Sequence, residues 1–162
     1  MKFETYELKI TDNEDLSCSI KLEPNTGVAL IKERRKLYII HYNNEIFYVG
    51  EAHTSMKIRL LRGCNAYNYY KNNNDIARNG YKGYKWLDND KNPKRNLTVN
   101  VVTFTKEYDN RREVIEAIEG ELVYLIRNKL GYWPKFQNEI HFSNNFEATE
   151  LAISIFSKIS YL

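Results

Sequence analysis

Apolar positions along the chain gather into short β-prone runs near the N-terminus and into helical stripes toward the C-terminus. The runs "FETYELKI" and "LSCSIKLE" are separated by the polar turn "TDNED" and followed by "PNTG", which predicts two strands that extend or cap a sheet. "KLYIIHYNNEIFYVGEA", residues 36 to 52, reads as a hairpin turning at Asn43 and Asn44, since asparagine tolerates the left-handed backbone of a tight turn. A two-residue turn would pair Tyr38 with Val49 and put Tyr38 and Tyr48 on opposite faces. An odd loop of Asn43, Asn44 and Glu45 would pair Tyr42 with Ile46 and Ile40 with Tyr48. It would place Leu37, Ile39, Phe47 and Val49 on one face, and Tyr38 and Tyr48 together on the other. The odd loop separates apolar from aromatic side chains better and is the register expected.

"HTSMKIRLLRG" then carries helix punctuation, with Thr54 or Ser55 able to cap the start and Gly63 able to end it. On that helix Met56, Leu60 and Leu61 lie to one side, and Arg59 and Arg62 share the other. Residues 65 to 96 are polar, rich in Asn, Tyr and Lys, and long for a connection without structure of its own. Part of this segment, "AYNYYKNNNDIARNG", can form a short helix. "NLTVNVVTF", residues 96 to 104, is a β-branched, alternating strand. Residues 110 to 131 form the strongest helix, ended by Gly131, and "NNFEATELAISIFSKISYL" forms a second amphipathic helix expected to pack back on the sheet.

The fold class expected is α+β: a small, mostly antiparallel central sheet flanked by helices. A single domain over 1–162 is expected, with an N-terminal strand extension over 1–35, a core over 36–140 and a C-terminal helix over 141–162. No run approaches the roughly 18 to 20 apolar residues of a membrane span, and the N-terminus has acidic residues where a signal peptide is apolar. A cytoplasmic protein without a membrane partner is expected. Cys18 and Cys64 form no CxxC pair and read as reduced core thiols. With 24 Lys and Arg against 21 Asp and Glu, the formal charge of +3 is too small to imply a nucleic-acid partner, so the placement of the basic residues decides.

The order of these features resembles the GIY-YIG nuclease superfamily. "LYI" at 37–39 stands where that family has its first motif, with Leu37 in place of the glycine and Tyr38 retained, and "YVG" at 48–50 matches the second. Arg59 takes the arginine position if one extra residue is allowed after Gly50, with Arg62 as the fallback. Glu121 best suits the glutamate and Asn138 the asparagine. Periodicity alone leaves the glutamate open, because Glu119 and Glu121 sit on opposite edges of the stripe formed by Val114, Ile115, Ile118, Leu122, Leu125 and Ile126.

The resemblance, which spans residues 36 to 140, implies a three-stranded core and a DNA endonuclease using Mg²⁺ or another divalent cation such as Mn²⁺. A stand-alone restriction or phage type is implied, in a bacterial or phage-like setting, working as a dimer or tetramer. Catalytic roles would fall to Tyr38 as general base, Tyr48, Arg59, Glu121 as metal ligand and Asn138. A phenol with an ordinary pKa near 10 needs a nearby cation to serve as a base at neutral pH. His41 falls on the apolar face as a core histidine, whereas His53, beside the second motif, can touch substrate; His141 follows Asn138 by three residues.

Further DNA contacts are expected from residues 78–95, where Arg78, Lys82, Lys85, Lys91, Lys94 and Arg95 interleave with Tyr81, Tyr84 and Trp86. Basic groups there would neutralise phosphates while the aromatics meet bases. The substrate contacts expected are thus His53, Arg62, Arg78, Lys82, Lys85 and Trp86. The alternative is a nucleic-acid-binding module with the same fold and no cleavage.

Overall fold

A computed structural model describes residues 1–15, 17–137, 140 and 145–159. In chain order it contains β1 (Lys2–Asp12), β2 (Cys18–Glu23), β3 (Lys36–Tyr42), β4 (Glu45–Ala52), α1 (Met56–Asn72), β5 (Asn96–Thr103), α2 (Arg112–Leu130) and α3 (Phe146–Ile159). The strands form one sheet in the order β2-β1-β5-β3-β4, with every neighbouring pair antiparallel. The architecture is α+β, as the element pattern predicts. The N-terminal strands extend the sheet: β1 pairs with β5 from Lys2 opposite Thr103 to Lys9 opposite Asn96, which makes β5 the central strand.

Alternation along the strands divides the core in two. Tyr6, Leu8, Tyr38, Ile40, Val99 and Val101 pack under α1 through Met56, Leu60, Cys64 and Tyr67. Leu37, Ile39, Val49 and Val102 face α2 and α3, meeting Ile115, Ile118, Leu122, Ala152 and Ile155. α3 therefore reaches the sheet layer largely through its packing on α2. His41 belongs to this second side as a satisfied core residue. Its Nδ1 lies 2.8 Å from the Asn43 carbonyl and its Nε2 3.1 Å from the Asn100 side chain, and burial lowers its pKa.

The β3–β4 hairpin combines the two registers weighed from sequence. Its turn is the two-residue one, Asn43–Asn44, with Tyr42 opposite Glu45 and Asn43 left-handed at φ 50°. A bulge between Ile40 and His41 then absorbs Phe47, so Ile40 pairs with Tyr48 and Ile39 with Val49. An extra residue on one strand lets two successive side chains point to the same side. Phe47 accordingly joins Tyr38 and Tyr48 in the α1-side core, and Ile46 takes the place on the α2 side that alternation had assigned to Phe47. The tyrosines share a face as expected, but by a different device.

α1 starts at a cap the sequence suggests and α2 ends at its expected glycine, while one expected stop is not used. The Ser55 hydroxyl accepts from the Ile58 amide at 3.3 Å, and Gly131 closes α2 in the left-handed region at φ 81°. Gly63, expected as a C-terminal stop, lies in the middle of α1, which continues to Asn72. Both cysteines are buried and free, and their sulfurs are in contact at 3.7 Å between β2 and α1.

Lys36, at the start of β3, is fully buried, and its ammonium donates to the carbonyls of Ile31, Arg34 and Thr54 at 2.9, 2.7 and 3.1 Å. It ties the chain before β3 to the loop that leads into α1. Lys36→Met would leave three carbonyls without that donor and is expected to lower stability by about 2 kcal/mol in denaturant unfolding. Burial pulls the Lys36 pKa down to about 8 from the ordinary 10.5. Between those values the unfolded chain holds more protons than the native one, so this residue's contribution to stability rises with pH across that window. The Met variant should lose that part of the slope.

Candidate active site

Gly50 is the floor of the tyrosine cluster. A Cβ there would fall 2.6 Å from the Tyr48 ring and 2.7 Å from the Tyr38 hydroxyl, so only glycine lets both rings lie across the strand. Tyr38 and Tyr48 stand with ring centroids 5.9 Å apart. A third ring completes the group. Tyr84, from the long polar connection, brings its hydroxyl within 3.0 Å of that of Tyr38, meets Tyr48 edge-on at 5.8 Å, and stacks on Trp86 at 4.7 Å. Gly63 of α1 and Gly83 make this approach possible. A Cβ on Gly63 would collide with the Tyr84 ring, and one on Gly83 would strike the backbone of Gly63 and Tyr67. Gly63 thus serves close packing, for which the helix gives up roughly 1 kcal/mol of propensity.

Arg59 projects from α1 into this group, with its guanidinium 5.9 Å from the Tyr84 ring centre. Burial would lower its pKa, but the oxygens of Tyr38, Tyr84, Tyr81 and Tyr48 outweigh burial and hold it above the usual arginine value. Its Nε is buried without a hydrogen-bond partner. Such an orphaned charged donor is uncommon in a folded protein and marks a place where an acceptor is wanted. Burial is also the main influence on the phenols. Tyr38 is fully buried and raised well above its ordinary value, and Tyr48, 9% exposed, is pushed up to about 12; Arg59 pulls both downward. Both tyrosines therefore carry their protons at neutral pH in this conformation.

Glu119, and not Glu121, belongs with this cluster. Burial, then repulsion from Glu51, raises the Glu119 carboxyl to about 8; Arg59 and the Glu51 amide act in the opposite sense, and Glu116 adds a smaller repulsion. Glu119 in turn raises Tyr48, second only to burial. Glu121, nearly opposite on the helix, is buried toward α3 and accepts from the Thr149 hydroxyl at 2.8 Å. Glu121, which the resemblance favours as metal ligand, thus faces away from the cluster, because two residues along a helix turn a side chain through about 200°. Among the described residues, no group of three or more His, Cys, Asp or Glu side chains could hold a metal ion.

Five of the site residues expected from sequence thus come together with others beside β4. Tyr38, Tyr48 and Arg59 form the cluster, and Arg62 lines one open polar cleft of about 580 Å³ with Arg59, Glu51 and His53. Asn138 and His141 lie outside the described residues. Trp86 is fully buried beneath Tyr84 and cannot meet a base; the expectation of an exposed stacking platform is corrected by its packing. Arg78 and Lys82 are exposed but lie over the rings of Tyr69 and Tyr70 at 5.9 and 5.4 Å, and Lys85 is exposed; none of the three lines the cleft.

Sequence reasoning missed Tyr84 as a partner of Tyr38, because nothing in a polar loop marks a residue that will be drawn inward; the preceding Gly83 is the one local signal. It also missed Gln137. That side chain accepts from the Val49 amide at 2.9 Å and donates to the Val49 carbonyl at 3.0 Å, while the amides of Lys135 and Phe136 bond Ile46 and Phe47. Residues 135–137 thereby cover the free edge of β4, holding the strand that carries Tyr48 and Gly50.

No helix among the described residues is long and apolar enough to cross a membrane. Comparison of the chain with protein-family models, with curated proteins and with solved structures finds no match.

Proposed function

We propose that this chain is a divalent-cation-dependent DNA endonuclease that hydrolyses phosphodiester bonds, with Mg²⁺ or Mn²⁺ as cofactor. The observation that carries the reading is the grouping of Tyr38, Tyr48, Arg59 and Glu119 at one edge of the sheet. Phosphodiester hydrolysis needs charge stabilisation on the attacked phosphate, a positioned water and help for the leaving oxygen. Arg59, with a buried and unpartnered Nε, is suited to the phosphate. Tyr48 keeps some exposure and feels both Arg59 and Glu119, which suits it to orient water or a phosphate oxygen.

The donor set fits a hard divalent cation. Glu119 is a desolvated carboxyl repelled by Glu51, so a cation there would offset both burdens. Mg²⁺ accepts one or two carboxylates and takes its remaining oxygens from water and phosphate. Glu119 would hold it, with Glu51 near enough to assist, and the ion would supply Lewis-acid stabilisation of phosphate charge. Tyr38 can act as a base only after its hydroxyl is released from Tyr84, since it is wholly buried against that residue.

This engagement of Tyr38 favours a second reading, a nucleic-acid-binding module of the same architecture that does not cleave. Supercoiled plasmid and mixed-sequence genomic DNA incubated with the protein in Mg²⁺ or EDTA separate the two. Expected are discrete Mg²⁺-dependent fragments and no cutting in EDTA. Retained DNA binding without cutting in Mg²⁺ or Mn²⁺ selects the binding module. Mg²⁺ is also expected to raise the melting temperature of the wild type and not of Glu119→Gln.

A further inference from the structure

We propose that the polar cleft beside Arg59 is a binding track for the phosphates that flank the cleaved bond, which relocates DNA contact away from the tyrosine-rich connection. The proposal rests on the nuclease reading and names the surface on which its substrate lies. Lys32, His53 and Arg62 line this cleft, are exposed, and have no ion pair or hydrogen bond among the described residues. Arg112 joins them from the first turn of α2, although it also pairs with Glu116 at 2.8 Å. Arg59 lies at the inner end with its orphaned Nε.

The cleft is positive on balance. Two carboxylates line it, Glu33 and Glu51, against Lys32, Arg59, Arg62 and Arg112, and Glu51 also pairs with Arg35 at 3.2 Å. α1 begins beside it at Met56 with no acidic residue in its first turn, so the partial positive charge of the helix end remains uncompensated there. A cavity of about 580 Å³ that is broad and polar suits a phosphodiester backbone better than a compact apolar ligand.

The cations of the long connection are largely committed within the fold. Arg95 pairs with Asp12 at 2.8 Å and Lys91 with Asp88 at 3.4 Å. Lys94 lies 4.7 Å from the Tyr42 ring centre and Lys82 5.4 Å from that of Tyr70, while Trp86 is buried. That segment holds Tyr84 in place; Lys85 keeps an exposed ammonium there, whereas the cleft brings Lys32, Arg59 and Arg62 together.

The test is fluorescence anisotropy of a labelled mixed-sequence duplex in EDTA, titrated between about 50 and 200 mM salt, where each neutralised phosphate contributes about 0.9 to the slope of log K against log salt. The double variant K32Q/R62Q is expected to lose about 2 from that slope and to weaken binding at low salt, with an unchanged melting temperature because both residues are exposed. An unchanged slope in K32Q/R62Q overturns the proposal, as does an equal or larger loss in K82Q/K85Q, and so does a wild type that binds no DNA. Cleavage in Mg²⁺, measured separately, keeps the two readings apart. Cutting with an unchanged slope would leave the nuclease and remove the track, whereas a lost slope without cutting would keep the track and remove the nuclease.

Discussion

Glu119→Ala is expected to lower Mg²⁺-dependent DNA cleavage by at least about 10³-fold, equivalent to roughly 4 kcal/mol of transition-state stabilisation. Glu119 is the carboxyl coupled to both Tyr48 and Arg59; burial keeps it largely protonated at neutral pH, and in the proposed nuclease the cation would hold it ionised, so its removal takes away the carboxylate that would hold the metal. Glu121→Ala is the informative comparison. It breaks the hydrogen bond from Thr149 between α2 and α3, which should lower stability by about 1 kcal/mol while leaving the cleavage rate within a few-fold of wild type. The two variants, purified and melted side by side before the plasmid assay, separate chemistry from folding. Loss of cleavage in the folded Glu121 variant with activity retained in the Glu119 variant would reverse the assignment.

The largest expected effect on stability belongs to Trp86. Its ring is fully buried, stacked under Tyr84, and its carbonyl accepts from the buried Asn92 side chain at 2.8 Å. Truncation of a buried tryptophan typically costs about 3 to 5 kcal/mol, so Trp86→Ala should approach the limit of what a domain of this size tolerates. The ring is also what supports Tyr84, and through it the hydroxyl of Tyr38. Trp133→Ala, at a residue 54% exposed, should move the urea midpoint very little. If Trp86→Ala folded as well as wild type but bound DNA poorly, the ring would be a base-stacking platform and not a core residue.

Much of this organisation was legible in the linear pattern. Apolar alternation and turn residues were enough to place all five strands and the two C-terminal helices, because those signals are local: side-chain period, a capping serine at 55, a left-handed glycine at 131. Tyr38, Tyr48, Arg59 and the pair Glu119 and Glu121 were picked out by the resemblance of their order to the GIY-YIG pattern, while the phase of each element supplied only the face on which each side chain lies. The bulge at Phe47 was not legible. Its presence depends on how β3 and β4 satisfy two buried faces at once, which no single strand encodes.

The sequence by itself determined that an antiparallel sheet would carry two tyrosines on one face, with an arginine helix following and a carboxylate helix later in the chain. The tertiary structure alone decided which carboxylate meets the arginine, because Glu119 and Glu121 are equivalent by periodicity and only the docking of α2 against β4 and α3 distinguishes them. It also decided that Gly63 is a packing residue inside α1, that Trp86 is core, and that Tyr84 closes over Tyr38. Each of these depends on contacts between residues about 20 to 90 positions apart, such as Gly63 with Tyr84, Tyr38 with Tyr84, and Val49 with Gln137. Local propensity acts over one or two turns of chain, and packing across such separations is set by the whole core at once.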